Sequence, residues 1–268
     1  PYLSRTNCLG SIMRRDMDNP RFSVIIPTLN EEKFLPNLLS SLVQQSLKDF
    51  EVIVVDGKSR DKTIAKAAEF KRKLKLRVIT SDHASLPLQR NVGAAQARGE
   101  WFVFVDADSI LFANFFERIA HFIDEGAPQV FTTWFAPDSA TGGDAVTTLL
   151  ANIMNEVAIL LKRPFTPGPL TIVTKSAFQM VGGYDESRQF HEDVDFGMRL
   201  YERGGIAVQI LRETLCILSL RRLRREGTLK VVQQYALAAL PILFLKRSFR
   251  FMPGGYVMGG QLYGKKKY

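Results

Sequence analysis

The chain has 268 residues, 46% of them hydrophobic and 10% aromatic, which is enough to bury a sizeable core and excludes a disordered polymer. Its formal charge of +9 is uneven: residues 212–268 hold 12 Lys and Arg against 2 Glu, and residues 1–211 are close to neutral. Cys8 and Cys216, the two cysteines, supply neither a disulfide framework nor a metal cluster and fit a reducing compartment.

In chain order, residues 1–19 hold no apolar signal-peptide core and read as a tag-derived or disordered leader, with Met17 as a candidate natural start. "RFSVIIPTLNE" is a short β-rich run closed by Pro27 and a polar turn. Phe34, Leu35, Leu38, Leu39, Leu42 and Val43 then recur at helical spacing. "FEVIVVDGKSRD" predicts a second buried strand and a turn, followed by a helix that Asp61 can cap. "LRVITS" is a third strand, "PLQRNVGAAQARGE" a helix stopped by Gly99, and "WFVFVDAD" a fourth strand. Further on, "PDSATGGD" at 137–144 reads as a mobile loop and "AVTTLLANIMNEVAILLKR" as a long, largely apolar helix. "LTIVTKSAFQMVGGYDE" reads as strand, helix and Gly turn, and "HEDVDFGMRLYERGG" as a helix ended by Gly204 and Gly205.

Apolar strands alternating with helices predict βαβ units and a mostly parallel sheet covered on both faces, with ligands bound beyond the carboxyl ends of the strands. Three strands end in polar signatures, "TLNE", "DGKSRD" and "DADS", which should converge on one crevice. In extended backbone Asp106 and Asp108 would project to the same side and repel unless a cation or donors neutralise them. Paired carboxylates suit Mg²⁺ or Mn²⁺ completed by substrate phosphates. Asp-Ala-Asp-Ser can equally be a simple turn. Asp56 can accept hydrogen bonds from a nucleobase or ribose, or merely set the turn before Thr63. The three carboxylates of "HEDVD" suit a helix start, where the dipole favours them, and also a general base. His191 has no partner at metal-ligand spacing, and Cys216 reads as a core residue. "LSLRRLRREG" reads as a solvated basic face, although Arg221 and Arg222 can fork onto a diphosphate.

The ordered set "FSVIIPTLNE", "VVDGKSRDKT", "QRNVGAAQARGEWFVFVDAD", "GGYDE" and "HEDVDFGMRL" resembles family 2 glycosyltransferases of the GT-A fold, over roughly residues 22–222. The resemblance implies an α/β, Rossmann-like, mostly parallel central sheet flanked by helices, with a C-terminal helical extension. It implies a leader over 1–19 and a glycosyltransferase domain over 20–220, split into a nucleotide-binding half (20–110) and an acceptor-binding half (111–220). A basic amphipathic extension would follow over 221–268. It further implies inverting transfer from a UDP- or GDP-linked sugar. Pro27, Thr28 and Glu31 would hold the nucleoside and Asp56 would read the base. Arg90 would lie near the diphosphate, and the Asp106-Ala107-Asp108 triplet at ribose and metal. Asp193 would be the base, with Glu192 beside it. Asp108 is the expected direct ligand of Mn²⁺ or Mg²⁺, Asp106 its support, and Arg221 and Arg222 are expected phosphate ligands. Lys58 and Arg60 depart from the family's usual second turn, and no Q-x-x-R-W motif of processive synthases occurs.

No run of 18 apolar residues exists; Val231 to Leu245 comes nearest. The basic, partly apolar C-terminal segment suits peripheral contact with an anionic membrane, worth about 1 kcal/mol per Lys or Arg, and a glycan or lipid-linked acceptor. Packing on the domain or on a second subunit is the competing reading, which leaves a homo-oligomer open. Location is expected in the cytoplasm or on the cytoplasmic membrane face. No nucleic-acid recognition module is visible. A catalytically inactive nucleotide-binding regulator of the same fold is the alternative function.

Overall fold

The computed structural model describes residues 19–227. The leader up to residue 18, Cys8, the run Val231–Leu245 and the membrane contact expected of the basic segment all lie outside the described residues.

The first half follows the sequence pattern. Strands β1 (Phe22–Thr28), β2 (Phe50–Asp56), β3 (Leu76–Thr80) and β4 (Trp101–Val105) alternate with helices α1 (Leu35–Val43), α2 (Thr63–Ala68) and α3 (Leu86–Gln96). The second half holds β5 (Ile110–Leu111), α4 (Phe115–Gly126), β6 (Val130–Pro137), α5 (Gly142–Leu160), β7 (Leu170–Thr174), α6 (Lys175–Met180), α7 (Glu192–Glu202), β8 (Val208–Leu218) and α8 (Arg221–Glu226). All eight strands join one sheet in the order β3-β2-β1-β4-β7-β6-β8-β5. Its first three pairings are parallel, whereas β7 runs antiparallel to β4 and β6, and β5 antiparallel to β8. Among the described residues no helix is long and apolar enough to cross a membrane.

Period-two alternation explains the two cores. Phe22, Val24 and Ile26 of β1 face Leu35, Leu38, Leu39 and Leu42 of α1 and Phe115 and Phe116 of α4. Ile25 faces the other way, with Ile53, Val55, Phe102, Phe104, Phe178, Tyr184 and Phe196. Full burial of each such side chain contributes roughly 1.5–3 kcal/mol. The central strands are therefore sealed on both faces, and only their ends are free to build a site.

Several local expectations need correction. Helix α3 ends at Gln96, before Gly99, because Ala97 is already extended at φ −76°, ψ 137°. Gly99 answers a packing need instead: a Cβ there would stand 2.8 Å from the Phe22 carbonyl carbon and the Ser23 nitrogen. Gly93 lets α3 lie against the sheet, since a Cβ would meet Ile25 Cγ2 at 2.4 Å. The loop expected over 137–144 is trimmed at both ends, to residues 138–141. Strand β6 claims Pro137, the Thr141 hydroxyl caps α5 by accepting from the Asp144 amide, and Arg224 ties Asp138 to Asp144. Helix α4 and strands β6 and β8 escaped the sequence reading, although Gly126 and Pro128 mark the end of α4. Lys62, not Asp61, is the N-cap residue of α2, although Asp61 Oδ1 accepts from the Thr63 amide at 2.9 Å.

Candidate active site

Pairing of β4 with β7 stops at Val105–Leu170, so the next residues leave the sheet. The extended geometry expected for Asp106 and Asp108 does not form. The Ser109 amide donates to the Asp106 carbonyl at 3.0 Å, closing a turn, and the two carboxylates meet different cations. Asp106 Oδ1 lies 3.3 Å from Arg90 Nη2, and Asp108 Oδ2 lies 2.9 Å from Arg221 Nε. Both carboxylates still line one pocket, together with Pro27, Thr28, Glu31, Ala107, Arg221 and Arg222. Gln89 and Ser219 join them there, as do Leu86, Pro169 and Leu218.

The second polar turn braces this pocket. Asp56 is fully buried; its Oδ2 accepts from the Ser59 amide at 2.9 Å and its Oδ1 from the Ser59 hydroxyl at 2.5 Å. The Gly57 amide donates to the Thr28 carbonyl, the Asn30 amide to the Ser59 hydroxyl and the Arg60 amide to Asn30 Oδ1. The turns after β1 and β2 are thereby stitched together. Gln89, which sequence reasoning missed, completes the stitch: its Nε2 donates to the carbonyls of Thr28 and Val55. Its place beside Arg90, on the helix facing those strand ends, was the available signal.

Arg90 points inward and is 1% exposed. Its Nη1 donates to Glu192 Oε1 at 2.9 Å, its Nη2 donates to the Gly168 carbonyl at 3.0 Å, and its guanidinium lies 5.1 Å from the Tyr184 ring centroid. Burial alone would lower its pKa, but Tyr184, Glu192, Asp106 and Asp193 hold the guanidinium firmly charged. Asp193 also lies beside Gly168, where a Cβ would stand 3.6 Å from Arg90 Nη2 and 3.7 Å from Asp193 Oδ2. Asp56, Arg90, Glu192 and Asp193 are thus not among the lining residues, but one buried guanidinium connects the pocket's Asp106 to the carboxylates of α7.

Burial pushes the Asp193 carboxyl well above the usual range, and neighbouring Glu192 adds to the push. Desolvation raises Asp106 to about 7 against the pull of Arg90, and raises Asp108 and Glu31 against Arg221. His191 caps α7 in the left-handed region at φ 57° and stacks on Phe190 with ring centroids 3.9 Å apart. Burial lowers its pKa to about 4, which keeps the ring neutral near pH 7. Arg222 reaches Glu226 at 3.1 Å within its own helix, and Cys216 is buried in the core.

Hard oxygen ligands at a pocket mouth suit a divalent cation. Among the described residues no cluster of three or more His, Cys, Asp or Glu is placed to hold one. Asp106 and Asp108 both line the pocket and offer two carboxylates, each already paired with an arginine.

Residues 23–182 match the family described as Glycosyl transferase family 2. Poly(ribitol-phosphate) beta-N-acetylglucosaminyltransferase TarS of Staphylococcus aureus is 39% identical over 109 residues, 39% of this chain and 19% of that protein. A PGL/p-HBAD biosynthesis glycosyltransferase of Mycobacterium bovis is 39% identical over 116 residues, 42% of this chain and 45% of that one. The chain therefore spans less than half the length of either relative. The crystal structure of TarS 1–349 in complex with UDP superposes with a TM-score of 0.63 at 27% identity, covering 75% of this chain and 60% of that one. TarS with UDP-GlcNAc gives 0.62, again at 27% identity, over 74% and 58%. A mannosyltransferase from Pyrobaculum calidifontis, solved with GDP-Man and Mn²⁺, shares the fold at 0.59 and 19% identity, over 75% and 57%.

Proposed function

The chain belongs to glycosyl transferase family 2, and from that premise we propose that it moves a sugar from a nucleoside-diphosphate sugar to an acceptor hydroxyl with inversion. The observation that carries this reading is the Asp106–Arg90–Glu192 bridge, which fixes a donor pocket and a carboxylate pair in one rigid frame. UDP and UDP-GlcNAc in the related TarS structures favour a uridine donor over a guanosine one.

The nucleoside lies against Pro27, Thr28 and Glu31, with the buried Asp56 turn shaping that wall from behind. Asp193 takes the proton of the acceptor hydroxyl, which attacks the anomeric carbon opposite the leaving diphosphate. Its desolvated carboxylate is a stronger base than a solvated one. Arg90 acts as a positioning residue for Asp106 and Glu192, because its guanidinium is enclosed by protein. Arg221 exchanges Asp108 and Glu31 for the diphosphate oxygens when donor enters. Asp108, with Asp106 in support, would hold a divalent cation, which would supply Lewis-acid neutralisation of charge on the departing diphosphate. A lipid-linked acceptor at a membrane surface rests on the basic composition of the C-terminal segment.

A donor panel tests the reading. UDP- and GDP-sugars would be incubated with polyol, glycan and polyprenyl phosphate acceptors, with NMR reading the product's anomeric configuration. The expected result is nucleoside diphosphate release with inverted configuration. Retained configuration, or binding without turnover on any acceptor, would overturn it, the latter in favour of an inactive regulator.

A further inference from the structure

Helix α5 carries its polarity in the reverse of the usual sense. Its buried positions are Asp144, Thr148, Asn152, Asn155 and Ala158. Val146, Leu149, Leu150, Ile153, Met154 and Leu160 are instead 41–81% exposed, and no exposed residue of this helix is charged. The exposed positions recur at three- and four-residue spacing, so they form one stripe along a helix roughly 28 Å long. Soluble monomers rarely leave so continuous an apolar surface uncovered.

The inner face explains the inversion. Strand β6 breaks register with β8 around Trp134, which leaves backbone groups to satisfy. Asn152 satisfies them, its Oδ1 accepting from the Phe135 amide and its Nδ2 donating to the Phe135 carbonyl. Glu156 accepts from the Trp134 indole and from Arg212. Polar side chains are therefore needed inside, and the aliphatic ones are left facing outward.

The chain itself offers the cover. Helix α8 is pinned to the start of α5, because Arg224 Nη1 donates to Asp138 Oδ1 at 2.8 Å and to Asp144 Oδ2 at 3.2 Å. Three residues later Gly227 turns the backbone at φ 91°, and the sequence runs into "VVQQYALAALPILFL" at 231–245, which contains no charged residue. Four residues span at most about 14 Å, and the Arg224 contacts to Asp138 and Asp144 hold the end of α8 beside the N-terminal turn of α5. A segment tethered this closely acts at an effective concentration near the millimolar range, ahead of any second copy at ordinary protein concentration. We infer that residues 231–245 of the same chain cover the exposed stripe of α5.

Site-specific photocrosslinking in the full chain tests this. A benzophenone amino acid would replace Leu150 or Ile153, both exposed, and Glu125 on α4 would serve as control. Samples would be irradiated alone and with phosphatidylcholine–phosphatidylglycerol vesicles, then mapped by mass spectrometry. The expected product is monomer-sized, joins α5 to a peptide within 231–245, and is missing from the control. Crosslinks between two copies, crosslinks to lipid without the intrachain product, or no product in 231–245 would each overturn the inference.

Discussion

Arg221 and Asp108 form a direct ion pair at the rim of the pocket, with Nε and Oδ2 2.9 Å apart.

 The same guanidinium also grips Glu31, Nη1 to Oε2 at 2.8 Å and Nη2 to Oε1 at 2.5 Å. One cation from α8 therefore neutralises a carboxylate from the β1 turn and another from the β4 turn. Its guanidinium also lies 4.3 Å from the Phe34 ring centroid, which fixes its approach.

Arg221→Ala should leave Glu31 and Asp108 without their shared counter-charge, costing on the order of 3 kcal/mol in the ligand-free protein. Added Mn²⁺ should recover part of that loss, so its stabilising shift should be larger in the variant than in the native chain. Thermal melts with and without Mn²⁺ check this; equal shifts in the two proteins would count against a shared cation position.

Asp193→Asn keeps the shape of the side chain and removes the base. Transfer should fall by about 10²–10⁴-fold, with nucleoside diphosphate affinity within about twofold of native. Steady-state rates and calorimetric titration of UDP separate the two effects. Unchanged turnover would remove Asp193 from the mechanism.

Arg90→Lys retains a positive charge but not the fork that joins Asp106, Glu192 and the Gly168 carbonyl. The catalytic rate should drop by roughly 10²-fold through misplacement of the α7 carboxylates, with a smaller change in donor KM. A variant altered in KM alone would point to direct donor contact instead.

The raised carboxyls set a pH dependence. Asp106, Asp108, Asp193 and Glu31 all hold protons more tightly folded than unfolded. Their contribution to stability is complete below the unfolded values, about 4, and declines as pH rises towards the value of about 7 reached by Asp106. Ligand-free protein should therefore melt at a higher temperature near pH 5.5 than near pH 8, whereas transfer, which needs Asp193 ionised, should rise over the same interval. Melting temperatures that climb with pH across this window would contradict the assignment.

Much of the nucleotide-side architecture was legible because strands β1, β2 and β4 are largely apolar runs, broken only by Ser23 and Glu51, and are closed by polar turns. That pattern located Thr28, Glu31, Asp106 and Asp108 at one pocket. It could not show that Asp56 would spend its carboxylate on Ser59, or that Arg90 would turn inward, since both depend on contacts between elements far apart in sequence. Nor could composition reveal α5's reversed faces: its apolar content is that of a buried helix, and only the irregular β6 edge demands Asn152 and Glu156 on the inside. Strand β8 was hidden for a similar reason, because its irregular exposure follows from pairing with β6 and β5 rather than from a closing motif.

Asp106 and Asp108 are proposed to mark a cation-assisted nucleoside-diphosphate site. Calorimetric titration of UDP into the native chain and into Asp108→Asn, each with and without Mn²⁺, tests it most directly. The expected result is UDP binding that Mn²⁺ strengthens in the native chain and leaves unchanged in the variant. Binding equally enhanced by Mn²⁺ in both proteins, or no binding of UDP or GDP to the native chain, would contradict it.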